Sequence, residues 1–193
     1  ILLGIIVMNR CQRYIYLLLT VFIVIPSSYA YSAEQIISEE QLSDNITIIF
    51  EAAPKDSVFN ELSPQLPEKE TDIHIEALVN WNNGTQIEGQ SASGFIPYVK
   101  ITSEIINENS GQKIAIDLTP HINLSDGFHY AKNIKLPGLR TDRYKLKFTI
   151  IPDNEELTYH MDWKEKYPYP IFEKKIFEYT NLDFKETSEA TRR

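Results

Sequence analysis

Residues 144–151 set the strongest limit on what this chain can become. Tyr144, Leu146, Phe148 and Ile150 alternate with Lys145, Lys147 and Thr149. A two-residue period places every apolar side chain on one face of an extended strand, whereas a helix would scatter them around its axis. The same signal recurs along the chain. Residues 72–80 put Ile73, Ile75 and Ala77 on one face and His74, Glu76 and Leu78 on the other. Further β-rich runs occupy 45–53, 95–107, 113–118, 133–136 and 172–179, with Pro97 at an entry position that a strand tolerates. Turn residues separate them, notably Trp81-Asn82-Asn83-Gly84 and Asn109-Ser110-Gly111, while residues 54–69, with three prolines, read as a long loop. No convincing amphipathic helix and no internal repeat interrupts the series. About seven to nine short strands of this kind predict an all-β fold, an immunoglobulin-like antiparallel β-sandwich.

The first thirty residues follow a different rule. Residues 1–33 contain no Asp or Glu, and their only charges are Arg10 and Arg13. The apolar block 15–25 (IYLLLTVFIVI) comes next, then Pro26 and the small-residue exit Ser28-Tyr29-Ala30. Positive head, apolar middle and small exit predict a signal peptide over 1–30, with Met8 as the natural start. The block is short for a bilayer crossing of about 20 residues, so the sequence predicts cleavage, export and no membrane insertion afterwards. Cleavage also removes Cys11, the only cysteine, so the exported chain can use neither disulfides nor thiolate chemistry. The globular domain is predicted over 31–182 and a loose polar tail over 183–193.

Charge excludes one class of partner. The formal net charge is −8, and losing two arginines makes it −10. Such a chain repels a phosphate backbone, so no nucleic acid is expected. Asn45, Asn83 and Asn123 head Asn-x-Ser/Thr triplets, which are read as chance. No nucleophile elbow, phosphate loop, dinucleotide fingerprint or zinc-protease helix is present.

Chemistry therefore falls to four histidines. His74 and Glu76 lie two apart on one strand face, about 7 Å from each other at the base; alone, they read as an exposed polar pair. His121 and His129 flank a loop in which Gly127 permits a tight turn, an arrangement able to fold both rings to one point, or simply a polar loop. His160 sits beside Met161 in an aromatic, polar segment, where Met161 reads as a packing or surface residue. Neutral imidazole suits iron, copper and zinc.

Taken in order, Asp72-Ile73-His74-Ile75-Glu76-Ala77, Phe95-Ile96-Pro97-Tyr98-Val99, Pro120, Asp126-Gly127-Phe128-His129-Tyr130, Asn133-Ile134 and Tyr144-Lys145-Leu146-Lys147-Phe148 resemble the periplasmic high-affinity iron transport proteins. These are exported Fe2+/Cu2+-binding partners of bacterial inner-membrane iron permeases. The resemblance runs from about residue 44 to residue 180. It implies an immunoglobulin-like sandwich, a homodimer and a metal site near the subunit interface. It also implies ligands: His74 and Glu76 from the Asp-x-His-x-Glu strand, His129 from the Asp-Gly-x-His-Tyr turn, and His160 from a late loop. The family's methionine after a proline is replaced here by His121, and its small pair after His-Tyr by Ala131-Lys132. Exchanging thioether for imidazole weakens the preference for copper(I) and suits Fe2+, Cu2+ or Zn2+, with Mn2+ also within reach of the donors.

The resemblance thus implies a periplasmic protein that binds a divalent metal ion and passes it to an inner-membrane iron permease, with no turnover chemistry of its own. Copper or zinc handling at the same residues, a small metallo-oxidase, and an immunoglobulin-like adhesion or assembly module with incidental histidines are the competing readings. All four imidazoles meeting at one cation is the strongest structural expectation.

Overall fold

A computed structural model describes residues 34–61 and 65–192. The predicted signal peptide lies outside the described residues. Among the described residues, eight strands form the fold: β1 (Gln35–Ser43), β2 (Ile46–Pro54), β3 (Ile73–Trp81), β4 (Val99–Asn107), β5 (Lys113–Asn123), β6 (Gly127–Ile134), β7 (Arg143–Pro152) and β8 (Lys175–Asp183). Every pairing is antiparallel, in the spatial order β1-β2-β3-β6-β5-β4-β7-β8. The all-β antiparallel sandwich predicted from alternation is the architecture observed.

One strand joins the two sheets. The first half of β5 pairs with β4, ending at Leu118 opposite Ile101, and its second half pairs with β6, from Thr119 opposite Ala131 to Asn123 opposite Gly127. Pro120 falls just after the switch, where β5 is the outer strand beyond β6. A residue without an N–H is tolerated there because no further strand asks for that donor.

The inward faces meet in a continuous apolar core. Phe50 of β2 stacks on Phe148 of β7 with centroids 4.1 Å apart and planes 16° from parallel. Ile46, Ile48, Ile73, Ile75, Leu146 and Ile150 are fully buried around them. At the rims of the two sheets, the Tyr179 hydroxyl of β8 donates to Glu40 Oε1 of β1 at 3.0 Å, which ties the edge strands together.

Three local features depart from the sequence expectation. β1 has no clean alternation because irregularities at Ile36/Ser38 and Gln41/Ser43 reset its phase, so a two-residue pattern could not reveal it. Two helices, α1 (Met161–Lys166) and α2 (Lys185–Glu189), are too short for a 3.6-residue period to register. The stretch from 183 onward is not a loose tail. Phe184 is fully buried against Tyr144 at 5.8 Å between centroids, and Thr187 and Ser188 are buried too. One anchoring aromatic in a polar run carries no periodicity, which is why the sequence reads as tail. No helix among the described residues is long and apolar enough to cross a membrane.

The Phe50–Phe148 stack gives a direct test of the core. Phe148→Ala should lower unfolding free energy by about 3–5 kcal/mol, the range for deleting a buried aromatic ring. Urea denaturation followed by tryptophan fluorescence would show it as a shifted midpoint at unchanged slope.

Candidate metal centre

The outer face of a sandwich sheet ordinarily meets water. Here part of that face is covered. The β2–β3 connection folds across it, and the Asn133 side-chain amide of β6 donates to Asp56 O at 2.8 Å and Leu66 O at 2.9 Å, pinning both ends of the connection. His74 is left 1% exposed and Glu76 0%. Buried polar groups demand partners, and the partners define the site.

The β5–β6 hairpin supplies two more rings. Gly127 has φ +66°, a left-handed conformation that a side chain disfavours, although no neighbouring atom crowds the place a Cβ would take. The Asp126 N–H donates to Asn123 Oδ1 at 2.6 Å, while Asn123 Nδ2 and Ser125 Oγ donate to Asp126 Oδ2 at 2.6 and 2.8 Å. This turn sets the register in which His121 lies directly opposite His129. Ring centroids are 5.3 Å apart for His74–His121, 5.9 Å for His121–His129 and 6.4 Å for His74–His129. One ligand nitrogen from each lies within 4.8 Å of the other two. Of the two arrangements the sequence left open for His121 and His129, a convergent pair or a polar loop, the structure has the convergent pair.

Hydrogen bonds orient the rings. His74 Nδ1 lies 2.7 Å from Asn133 Oδ1, and because both amide hydrogens of Asn133 are spent on backbone carbonyls, the imidazole is the donor. His129 Nδ1 lies 3.1 Å from the Gly127 carbonyl, which can only accept. Both rings therefore carry the proton on Nδ1 and present the Nε2 lone pair, the tautomer that a metal requires. His121 Nε2 lies 3.3 Å from Thr119 Oγ1. Glu76 adjoins the cluster, with Oε1 3.7 Å from His74 Nε2 and Oε2 buried without a hydrogen-bond partner. Three convergent imidazoles with a buried carboxyl next to one of them suit a cation of the first transition row. Binding at about 2.0–2.1 Å per nitrogen would draw the rings slightly inward.

Burial governs the protonation of the site. It pushes His74 down to about 4, helped by the neighbouring rings and opposed by Asn133, and it pushes His121 down to about 4 with His129 and Lys132 adding to the effect. His129 is also lowered, by burial first. Burial raises Glu76 to about 8, with the Arg192 guanidinium 3.4 Å away pulling against it. Burial thus favours neutral imidazoles and disfavours charge on Glu76, against the pull of Arg192.

His160 is placed elsewhere. It is exposed, precedes α1, and lines a separate cavity of about 330 Å3 with Trp81, Ile96, Trp163 and Ile171. Trp163 packs on Trp81, at the opposite end of β3 from His74, about 23 Å away by strand rise. Within one chain, then, three of the four histidines meet and His160 does not join them. Met161 beside it is exposed, as the sequence suggested.

Sequence reasoning missed Arg192, which lines the same cavity of about 300 Å3 as the three histidines, together with Asp56 and Phe59 of the β2–β3 connection. Nothing in the local sequence around Arg192 signals this. The role of Asn133 was within reach, since register places it opposite His74.

Fold and site together define a β-sandwich with three convergent histidines on one sheet and a buried glutamate beside them. Residues 31–186 match the family model described as Fe2+ transport protein, and the chain belongs to that family. Among solved structures it is similar to a copper-bound variant of the P19 protein of Campylobacter jejuni, with TM-score 0.63 and 23% identity over 77% of this chain and 96% of that one. It is also similar to a copper-bound variant of FetP from uropathogenic Escherichia coli strain F11, with TM-score 0.61 and 21% identity over 78% of this chain and 98% of that one. At such identities the likeness establishes the shared fold. No curated protein sequence matches the chain.

The opposite shifts at the site make a testable pair. A histidine held near 4 takes up its proton more readily when unfolded, so its contribution to stability is lost as pH falls from 6.5 toward 4. Glu76, held near 8, binds its proton more readily when folded, so its contribution is lost as pH rises from 4.5 to 8. In metal-free protein, Glu76→Gln should therefore gain stability relative to wild type as pH rises through 4.5–8 and level off above. Denaturation midpoints across that range check it.

Proposed function

We propose that this protein is a periplasmic binding protein of iron uptake. It holds Fe2+, and also Cu2+, on His74, His121, His129 and Glu76 and delivers the ion to an inner-membrane iron permease. The observation that carries this reading is the convergence of three imidazoles from β3, β5 and β6, with His74 and His129 buried and His121 half-buried, the first two oriented by hydrogen bonds through Nδ1 that leave Nε2 free. Membership of the Fe2+ transport family and similarity to copper-bound P19 and FetP structures point the same way.

The donor chemistry accounts for binding and for release. Three neutral nitrogens leave a divalent ion's charge intact, and one carboxylate neutralises half of it. At neutral pH Glu76 exchanges its proton for the cation, so loading releases a proton and reprotonation favours unloading. On this reading the centre binds the ion and hands it on without turnover. The protein works as a homodimer, in which the exposed His160 of each copy is available to complete the partner's coordination.

Anaerobic titration of Fe2+ into wild type and variants tests the centre. One ion per chain should bind, with about one proton released at pH 7. Asn133→Ala should weaken binding about 10–100-fold as an orienting partner, and His129→Ala by more. Histidines that are incidental to an adhesion module would give no stoichiometric ion, while a metallo-oxidase would consume Fe2+ catalytically under air. A copper handler would bind Cu2+ yet fail to support growth at limiting iron beside its permease. Sedimentation of the wild type should give a dimer, and His160→Ala should lower affinity without changing the one-per-chain stoichiometry.

A further inference from the structure

The family match ends at residue 186, and the chain beyond it returns to the metal centre. Buried Phe184 and α2 hold the start of this segment against the sandwich. Beyond α2, Arg192 reaches back over the covered sheet face. Its Nη1 lies 2.9 Å from Asp56 Oδ2, and its Nη2 lies 3.2 Å from Glu34 Oε1, 3.4 Å from Glu76 Oε1 and 3.4 Å from Asp126 Oδ2. These carboxylates come from the residue before β1, the β2–β3 connection, β3 and the β5–β6 turn. A single guanidinium thus gathers four acidic groups from four parts of the chain.

One of those groups is the carboxylate of the metal centre itself. Glu76 Oε1 faces Arg192 on one side and His74 Nε2, at 3.7 Å, on the other. A divalent ion seated among the histidines would share that oxygen with a fixed positive charge a few ångströms away, in surroundings of low dielectric. Such like-charge pairs repel strongly. The guanidinium and the ion are therefore alternative occupants of the carboxylate side of the site.

We propose that the C-terminal segment is a latch: Arg192 occupies the carboxylate side of the centre in the unloaded protein, and a divalent ion must displace it to gain Glu76. The anchor and the bolt are separate. Phe184 and α2 stay packed while residues 190–192, joined to the rest by extended backbone at Ala190, swing away. The latch lowers apparent affinity by the fraction of time it is closed. It also screens the site, because an ion that does not engage all the histidines gains too little to open it. The inference rests on the centre binding a divalent cation.

Zn2+, redox-inert and suited to the same donors, is the probe. Arginine side-chain NMR of the wild type follows the Arg192 Nε–H signal, assigned by its loss in Arg192→Gln. Stoichiometric Zn2+ should move that signal to the position and rapid solvent exchange of a free guanidinium. Arg192→Gln should bind Zn2+ about ten-fold tighter, the factor for a latch closed about nine-tenths of the time, while Arg192→Lys stays near wild type. The latch is overturned if the Arg192 signal is unchanged at saturating Zn2+, or if Arg192→Gln binds no more tightly. Loss of binding in His129→Ala with no change in Arg192→Gln removes the latch alone. Absence of Zn2+ binding in every form removes the metal centre and the latch with it.

Discussion

The structure turns on the exclusion of water from the outer face of one sheet. Ionisable groups avoid burial because the charged state loses its hydration, and the usual outcome is a shifted protonation state rather than a buried charge. The covered face of β3 obeys that rule. His74 is driven to the neutral form and Glu76 toward the protonated form by the same desolvation. The connection pinned by Asn133 is what excludes the water. Asn133 also fixes the His74 tautomer, so one side chain both closes the site and aims its first donor.

Core and centre use opposite faces of the same strand. Ile73, Ile75, Ala77 and Val79 hold β3 in the sandwich, and His74 and Glu76 alternate with them toward the covered face. Because a one-residue slip would send the imidazole into the apolar core, the energy that packs the sandwich also sets the position of the ligands. The β5 switch does similar work. By leaving β4 at Leu118 and joining β6 at Thr119, it carries His121 into the sheet that holds His74. A rigid scaffold then presents donors from three strands, which suits a site that must hold its geometry before the ion arrives.

What could be read from sequence was what repeats or what sits close along the chain. Alternation revealed the strands with regular phase, and the Gly127 turn with its flanking histidines showed that His121 and His129 are able to converge. β1 was hidden by two phase shifts, and both helices by their brevity. His160 shows the limit of order as a guide: its place in the sequence suits a ligand, but packing of Trp163 on Trp81 settles its segment at the far end of β3. Arg192 was illegible for a different reason. A lone cation in a polar C-terminal run has no pattern, and its meaning comes only from carboxylates gathered by long-range folding.

Electrostatics links these parts. Beside the imidazoles stand Glu34, Asp56, Glu76 and Asp126, and Glu51 lies across the ladder from Glu76. Burial, with Glu34 and Asp126 adding to it, pushes Glu51 upward as well. Left alone, such a collection of carboxyls would be costly in the folded chain and strongly attractive to any cation. Arg192 relieves the first problem and limits the second. A neutral set of histidines binds by geometry and ligand type, whereas carboxylates bind by charge and discriminate less. Placing the chain's own cation on the charged side leaves the imidazoles as the part of the centre that an incoming ion must satisfy first.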